Sequence, residues 1–135
     1  MQSLKIDLGT IQLAVNDDPE RIIEFNPQDI GFAERFYTLL SEFDAKSREF
    51  YERAEKIEKN DVENGLGLMR EMCEYMREKI DQVFGEGSSQ KAFGNAMTLN
   101  MFEQFFAGVT PYIQKARTEK VKQYTNRAQK RAALK

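Results

Sequence analysis

The chain has 135 residues, of which 41% are hydrophobic and 31% charged, and its 20 basic and 22 acidic side chains give a net charge of -2. This length and composition predict one folded domain and exclude a disordered chain. No segment approaches the roughly 18 apolar residues that a membrane-spanning helix needs, and the start lacks the order of a signal peptide. We therefore expect a cytoplasmic protein without a membrane partner.

The residue types needed for most catalytic and metal sites are scarce. The chain has no histidine, the commonest general base and metal ligand, and a single cysteine, Cys73. Cys73 falls on the apolar face of a predicted helix, which favours an inert buried thiol. Glu71, Glu74 and Glu78 alternate with basic residues, as on a salt-bridged helix surface. We expect no enzyme activity, no metal and no cofactor.

The first 25 residues have the pattern of short strands. Apolar and polar residues alternate over residues 4–8 and again over residues 11–15, and Gly9 and Thr10 lie between them, which predicts a β-hairpin. Residues 16–19 are turn formers, and residues 21–25 can supply a third strand. Because so small a sheet is marginal alone, it must pack on a helix or on another chain.

Two long amphipathic helices are predicted next. Asn26 as the cap and Pro27 at the first helical position begin one helix, and whether it breaks near Phe43 is left open. Residues 60–61 or 64–67 interrupt it before the second helix. That helix carries an apolar stripe, for which we favour core packing over an adaptable binding surface built from Met69, Met72 and Met76. The stripe consists of Leu66, Met69, Cys73, Met76, Ile80 and Phe84.

The last part of the chain predicts two further helices. Ser88 or Ser89 caps a third helix that ends at Gly108, and Thr110 with Pro111 opens a final basic helix. The expected fold is α+β and predominantly α-helical, with an N-terminal hairpin or three short strands followed by four to five helices. Residues 1–135 form a single domain, divided into a strand-rich start (1–25), a helical core (26–108) and a basic C-terminal helix or tail (109–135).

The charge is concentrated at one end of the chain. Residues 115–135 contain eight Lys/Arg and one acid, so this tail carries +7 and the rest about -9. A dense aromatic segment precedes it, which we interpret as a core wall that leaves Phe105 or Phe106 exposed to a partner. The candidate partner-binding residues are Phe102, Phe105, Phe106, Tyr112, Lys115, Arg117, Lys120, Lys122, Tyr124, Arg127, Lys130 and Arg131.

The basic tail admits two interpretations. Its side chains could neutralise phosphates of a nucleic acid. However, the rest of the chain is acidic, the pI is about 5.4, and no recognition motif accompanies the charge. We therefore favour a solvated end, or a helix that docks on an acidic protein surface, over nucleic-acid binding.

Four segments in this order resemble a family of small tail assembly chaperones of long-tailed, siphovirus-type bacteriophages: EFNPQDIGFAERFYTLLSEFD, VFGEGSSQKAFG, FEQFFAGVTPYIQKAR and KQYTNRAQKRA. The resemblance covers nearly the whole chain. It implies a non-enzymatic protein of the host cytoplasm, absent from the mature virion, that binds the tape measure protein, helps recruit tail tube subunits and self-associates. The alternatives are a nucleic-acid-binding protein that uses the basic tail, or an oligomeric structural or adaptor protein.

Overall fold

Four helices follow a two-stranded antiparallel sheet in the computed structural model, which describes the backbone of residues 1–133 and the side chains of residues 1–119. The predicted α+β, mainly helical fold class is confirmed. The elements are β1 (Ile11–Ala14), β2 (Ile22–Phe25), α1 (Ile30–Glu55), α2 (Val62–Phe84), α3 (Ser88–Phe93) and α4 (Asn100–Ala133).

The hairpin forms between different segments from those predicted. β1 pairs with β2, with Ile11 opposite Phe25, and the turn between them uses positive φ angles at Asn16 and Asp17, residue types that tolerate this conformation. Residues 1–10 form no strand, so the prediction that residues 4–8 pair with residues 11–15 is wrong. The reason is burial: Ile23 and Phe25 enter the core from β2.

Helix α1 begins one turn later than predicted and runs without a break. Asp29 is its cap and accepts a hydrogen bond from the Gly31 amide at 3.1 Å, whereas the Asn26 side chain accepts from the Gln28 amide and forms a turn before the helix. The helix passes through Phe43. Asp61 caps α2, so the non-helical segment between α1 and α2 includes residues 60–61, whereas residues 64–67 are helical.

The buried face of α2 differs from the predicted stripe at its start. Leu66 and Met69 are exposed, and Leu68 and Met72 are buried in their place. From Cys73 to Phe84 the prediction is confirmed, because Cys73, Met76, Ile80 and Phe84 are all buried. Residues four apart on a helix lie on one face, and the observed series 68, 72, 76, 80 and 84 follows this spacing closely.

Short α3 is held by contacts at both of its ends. At its start, the Asp81 carboxylate accepts hydrogen bonds from the Ser89 amide at 2.7 Å and the Ser89 hydroxyl at 3.0 Å. At its end, Arg21 donates to the carbonyls of Lys91 and Ala92. Arg77 donates to the carbonyls of Gly94 and Ala96. These bonds satisfy backbone groups that helix ends leave without partners.

Helix α4 is continuous where the sequence predicted a boundary. Pro111 lies inside the helix, so the predicted end at Gly108 and the new helix from Thr110 are wrong. A proline removes one helical hydrogen bond, here to the carbonyl of Ala107. Ala107 and Pro111 are both exposed, so water can satisfy that carbonyl.

The core is a cluster of aromatic rings, with Phe84 at its centre. Its ring centroid lies 5.1 to 6.0 Å from those of Phe25, Phe32, Phe36 and Phe105 in edge-to-face geometry. The cluster joins the sheet to α1, α2 and α4. It thereby fixes these helices against one another, and an apolar surface remains at the far end of α1 and α2.

Candidate functional site

An apolar groove lies where the end of α1, the start of α2 and the start of α4 meet. Its cavity volume is about 130 Å³, and the cavity is open to solvent. This volume is below the roughly 300 to 1,000 Å³ of small-molecule pockets, but a mainly apolar lining is typical of binding sites. The lining residues of the apolar groove are Phe43, Ser47, Phe50, Tyr51, Ala54, Leu68, Met69, Met72, Leu99 and Glu103.

The spacing of residues along α1 explains why a groove forms here. Phe43, Ser47, Phe50 and Ala54 recur every three or four positions and therefore share one face of the helix. The two aromatic rings alternate with two small side chains, so the face has gaps that the neighbouring helices do not fill. The residues from α2 supply flexible methionine side chains, which adapt to different surfaces.

The floor of the groove is buried and its edges are exposed. Phe50 and Met72 are each 5% exposed, whereas Met69 is 46% and Tyr51 73% exposed. Leu99, just before α4, is also exposed. Exposed apolar side chains around a buried apolar floor are the arrangement expected of a protein-binding site.

A salt bridge between Arg53 and Glu71 joins α1 to α2 beside the groove. Arg53 donates to the Glu71 carboxylate at 2.6 Å, and this hydrogen bond lowers the pKa of Glu71 and raises that of Arg53. The Arg53 guanidinium also lies 5.0 Å from the Phe50 ring centroid, a cation–π distance. The Arg53 guanidinium therefore lies against the ring that forms the groove floor.

The described residues offer little reactive chemistry. Burial raises the pKa of the Cys73 thiol, which disfavours the reactive thiolate. Among the residues that the structure describes, no group of three or more His, Cys, Asp or Glu side chains could hold a metal ion. Within the same part of the chain, no helix has the length and apolar character needed to cross a membrane.

Sequence comparison matches most of the chain, including the groove residues, to a protein family. Residues 20–134 match a family of unknown function (DUF6673). The chain belongs to this family. The matched span contains every residue that lines the apolar groove, whereas residues 1–10 and β1 precede it. No curated protein and no solved structure matches the chain.

The aromatic residues predicted to bind a partner belong mainly to the core of this DUF6673 chain. Phe102 and Phe106 are buried, so the expectation that Phe106 could be the exposed ring is wrong, and neither side chain is available to a partner in this fold. Phe105 is half-buried and contacts Phe84 and Phe93. The core interpretation of this segment is therefore correct for Phe102 and Phe106.

The described candidate residues in the middle of α4 have different surroundings. Lys115 is exposed beside Glu119, and Tyr112 is 46% exposed. Arg117 instead donates to the Pro27 carbonyl at 3.1 Å, and so fastens α4 to the segment before α1. The other predicted partner-binding residues lie outside the residues whose side chains are described: Lys120, Lys122, Tyr124, Arg127, Lys130 and Arg131.

The apolar groove was not predicted as a site from the sequence. The methionines of α2 gave a partial signal, since Met69 and Met72 both line it. The sequence placed Met69 in the core, because the predicted stripe was rotated by about one residue at the start of α2. Leu68, Tyr51 and Leu99 gave no signal, since their convergence depends on the packing of three helices.

Proposed function

We propose that this protein is a non-enzymatic phage tail assembly chaperone of the host cytoplasm that binds the tape measure protein and helps recruit tail tube subunits. The four sequence segments that resemble such chaperones support this proposal. The observation that carries it is the apolar groove, because a chaperone for a long hydrophobic protein needs an exposed apolar surface that accepts helices.

The groove suits an amphipathic helix as its ligand. Such a helix lays apolar residues at positions i, i+3, i+4 and i+7 into a groove between other helices. The floor residues Phe50, Leu68 and Met72 offer buried apolar contacts, and Met69 and Leu99 can close over the ligand from two sides. Flexible methionines favour contact with many similar segments along a long client rather than with one sequence.

The distribution of charge supports a protein client with a preferred orientation. The groove has one charged lining residue, Glu103, while the sequence of the chain end carries +7. Complementary charges steer association and fix the orientation of partners more than they add affinity. An apolar groove with a distant basic end can therefore bind a client helix and position it.

Nucleic-acid binding is the second candidate, and the eight basic residues among residues 115–135 favour it. This function would use the basic end and not the groove. It predicts an affinity that falls steeply with salt, because phosphate contacts release counterions. Apolar docking in the groove predicts a weak dependence on salt.

The test is co-expression with the tape measure protein, taken as the product of a very long reading frame next to the gene. We expect the wild-type chain to keep that product soluble and to co-purify with it. The double variant Met69→Lys/Leu99→Lys should bind at least about tenfold more weakly, since binding of the client would bury two charged side chains. The matched control is Ile30→Lys, which changes an exposed apolar residue near the other end of α1.

Two results would count against the proposal. One is unchanged client binding by Met69→Lys/Leu99→Lys while the circular dichroism spectrum shows an intact fold. The other is specific binding of a duplex or single-stranded oligonucleotide at physiological salt, with no binding of the tape measure protein. The second result would favour the nucleic-acid function.

A further inference from the structure

Residues 4–8, which we name the arm, form an exposed segment before β1 with the sequence Leu-Lys-Ile-Asp-Leu. Leu4, Ile6 and Leu8 are 85%, 68% and 68% exposed. None of the five residues has a positive φ angle, so the arm can adopt the extended conformation of a strand. In that conformation the three aliphatic side chains share one face, and Lys5 and Asp7 share the other. A row of large apolar side chains on an exposed face indicates an interaction segment.

The arm has one backbone edge towards the body of the protein and one free edge. The Asn26 side chain donates a hydrogen bond to the Leu8 carbonyl at 2.6 Å. Neighbouring residues of a strand direct their backbone groups to opposite edges, so those of Lys5 and Asp7 point away from Asn26 in an extended arm. Within the described part of the chain, no hydrogen bond involves the backbone of Lys5 or Asp7. A strand edge of this kind accepts another strand.

We infer that the arm pairs antiparallel with the arm of a second copy, about a two-fold axis at Ile6. In this register Leu4 lies opposite Leu8 of the second copy, and the two Ile6 side chains meet at the axis. Each Lys5 lies opposite Asp7 of the second copy. Directly opposite side chains in an antiparallel pair lie close together on one face, so all five positions have a chemically matching partner.

Charge complementarity selects this register over the others. A slip by two residues sets either the two Lys5 or the two Asp7 side chains opposite each other, which is destabilising. A slip by one residue sets charged side chains against aliphatic ones. Parallel pairing in register places like charges side by side. The antiparallel two-fold register joins both pairs of opposite charges, so the partner that fits the arm is a second copy of this chain.

The hydrogen-bonding groups of the arm agree with the same register. Because Lys5 and Asp7 direct their backbone groups to the free edge, each Lys5–Asp7 pair exchanges two backbone hydrogen bonds between the copies. The two Ile6 residues then form a non-hydrogen-bonded pair, whose Cα atoms are about 4.5 Å apart. The Oδ1 atom of Asp7 accepts from the Gly9 amide at 3.0 Å, so its Oδ2 atom can accept from Lys5 of the second copy.

Apolar surface of the body lies beside the root of the arm. A two-stranded ribbon is marginal unless its apolar face packs on other structure. A cleft with a volume of about 210 Å³ has Ile11, Pro27 and Tyr112 among its lining residues. Gln28 also lines this cleft, and its side chain lies against Gly9 directly after the arm. The paired arms therefore leave the body next to an apolar surface.

The size of the contact sets its strength. Two segments of five residues bury less than the roughly 1,200 Å² of a stable interface, so the pairing is weak and reversible. Because the same segment serves both copies, the contact closes as a dimer. The inference goes beyond the proposed function and does not rest on it, since the arm lies outside the apolar groove.

Disulfide trapping tests the register. We would oxidise Ile6→Cys and, separately, Leu4→Cys under the same mild conditions; the native Cys73 is 1% exposed and should not react. In the proposed register the two copies of residue 6 lie opposite each other, whereas the two copies of residue 4 lie about 13 Å apart along the strands. Cα atoms more than about 7 Å apart cannot be bridged. We expect at least about tenfold more disulfide-linked dimer from Ile6→Cys than from Leu4→Cys.

An equimolar mixture of Leu4→Cys and Leu8→Cys should restore the yield, because these two residues lie opposite each other. Equal yields from Ile6→Cys and Leu4→Cys would overturn the inference, since random collisions of the arms would give that result. A mixture that yields no more dimer than Leu4→Cys alone would overturn it as well.

Charge reversal tests the pairing without cysteines. By sedimentation equilibrium we expect a reversible wild-type dimer, and association at least about tenfold weaker in Lys5→Asp, because two pairs of carboxylates then face each other. The double variant Lys5→Asp/Asp7→Lys restores both opposite-charge pairs and should associate like wild type. The control Lys59→Asp makes the same change of charge at an exposed residue between α1 and α2, and it should also associate like wild type.

Three results of this assay would refute the inference: a wild type that is monomeric at all concentrations, unaltered association in Lys5→Asp, or a double variant as weak as Lys5→Asp. Circular dichroism should show an intact fold in every variant, since the changed residues are exposed. A failure here leaves the proposed function standing, because client binding is tested by variants of the apolar groove.

Discussion

Replacement of Phe84 by alanine tests the central packing of the fold. Phe84 is 7% exposed, and four other rings surround it at centroid distances of 5.1 to 6.0 Å. Removing a buried phenylalanine ring costs about 3 to 5 kcal/mol, through lost transfer free energy and the cavity that remains. Because all four neighbours are themselves held by other elements, the site cannot collapse easily, and we expect a loss of about 4 kcal/mol.

The assay is urea unfolding followed by circular dichroism. With a slope of about 2 kcal/mol per molar, the expected loss lowers the midpoint by about 2 M. Phe84→Leu preserves most of the volume and should cost less than about 1.5 kcal/mol. Tyr51→Ala removes a ring that is 73% exposed and should change stability by less than about 0.5 kcal/mol.

The reasoning about the core would be refuted if Phe84→Ala destabilised the protein no more than Tyr51→Ala does. Such a result would mean that the ring is exposed in solution, and that α4 does not pack on α2 as described. An unchanged slope with a lowered midpoint is the expected pattern. A changed slope would indicate an altered unfolded or native state and not a simple loss of packing.

Three further predictions concern single side chains. Asp81→Ala should lower the free energy of unfolding by about 1 to 2 kcal/mol in the same urea assay, because the amide and hydroxyl of Ser89 lose their acceptor. The control is Glu78→Ala, since Glu78 is an exposed residue of the same helix. Cys73 should react with a thiol reagent at mildly alkaline pH only after denaturation, and rapid labelling of the native protein would contradict its burial. By NMR, the pKa of Glu71 should lie below the ordinary glutamate range, and it should return towards that range in Arg53→Gln. Because the folded-state pKa is lowered, the stabilising contribution of Glu71 is complete above its unfolded-state pKa. This contribution is lost as the pH falls through the folded-state pKa.

Local features of the fold could be predicted from the sequence. The turn at residues 16–19 and the buried stripe from Cys73 to Phe84 were predicted correctly, and the interruption at residues 60–61 was one of the two alternatives. These features depend on residue types and spacings within a few positions of one another. The same holds for the fold class, because helical spacing dominates after residue 26.

Features that depend on distant residues were predicted wrongly. Residues 4–8 have the pattern of a strand, yet β2 pairs with β1 because Ile23 and Phe25 gain burial against the helices. Thr110 and Pro111 resemble a helix start, yet α4 continues through them because Val109 and Ile113 on the same helix are buried in the core. In both cases tertiary packing outweighs a local preference of about 1 to 3 kcal/mol.

The sequence by itself determined a mainly helical chain with a small sheet, a strongly basic end and no histidine. Only the tertiary structure decided which apolar residues become core and which remain exposed. Phe102 and Phe106 lie in the core, while Met69 and Leu99 line the apolar groove, although all four are apolar residues in or near helices. The physical reason is that periodicity defines a helix face, whereas burial depends on which other helices pack against that face.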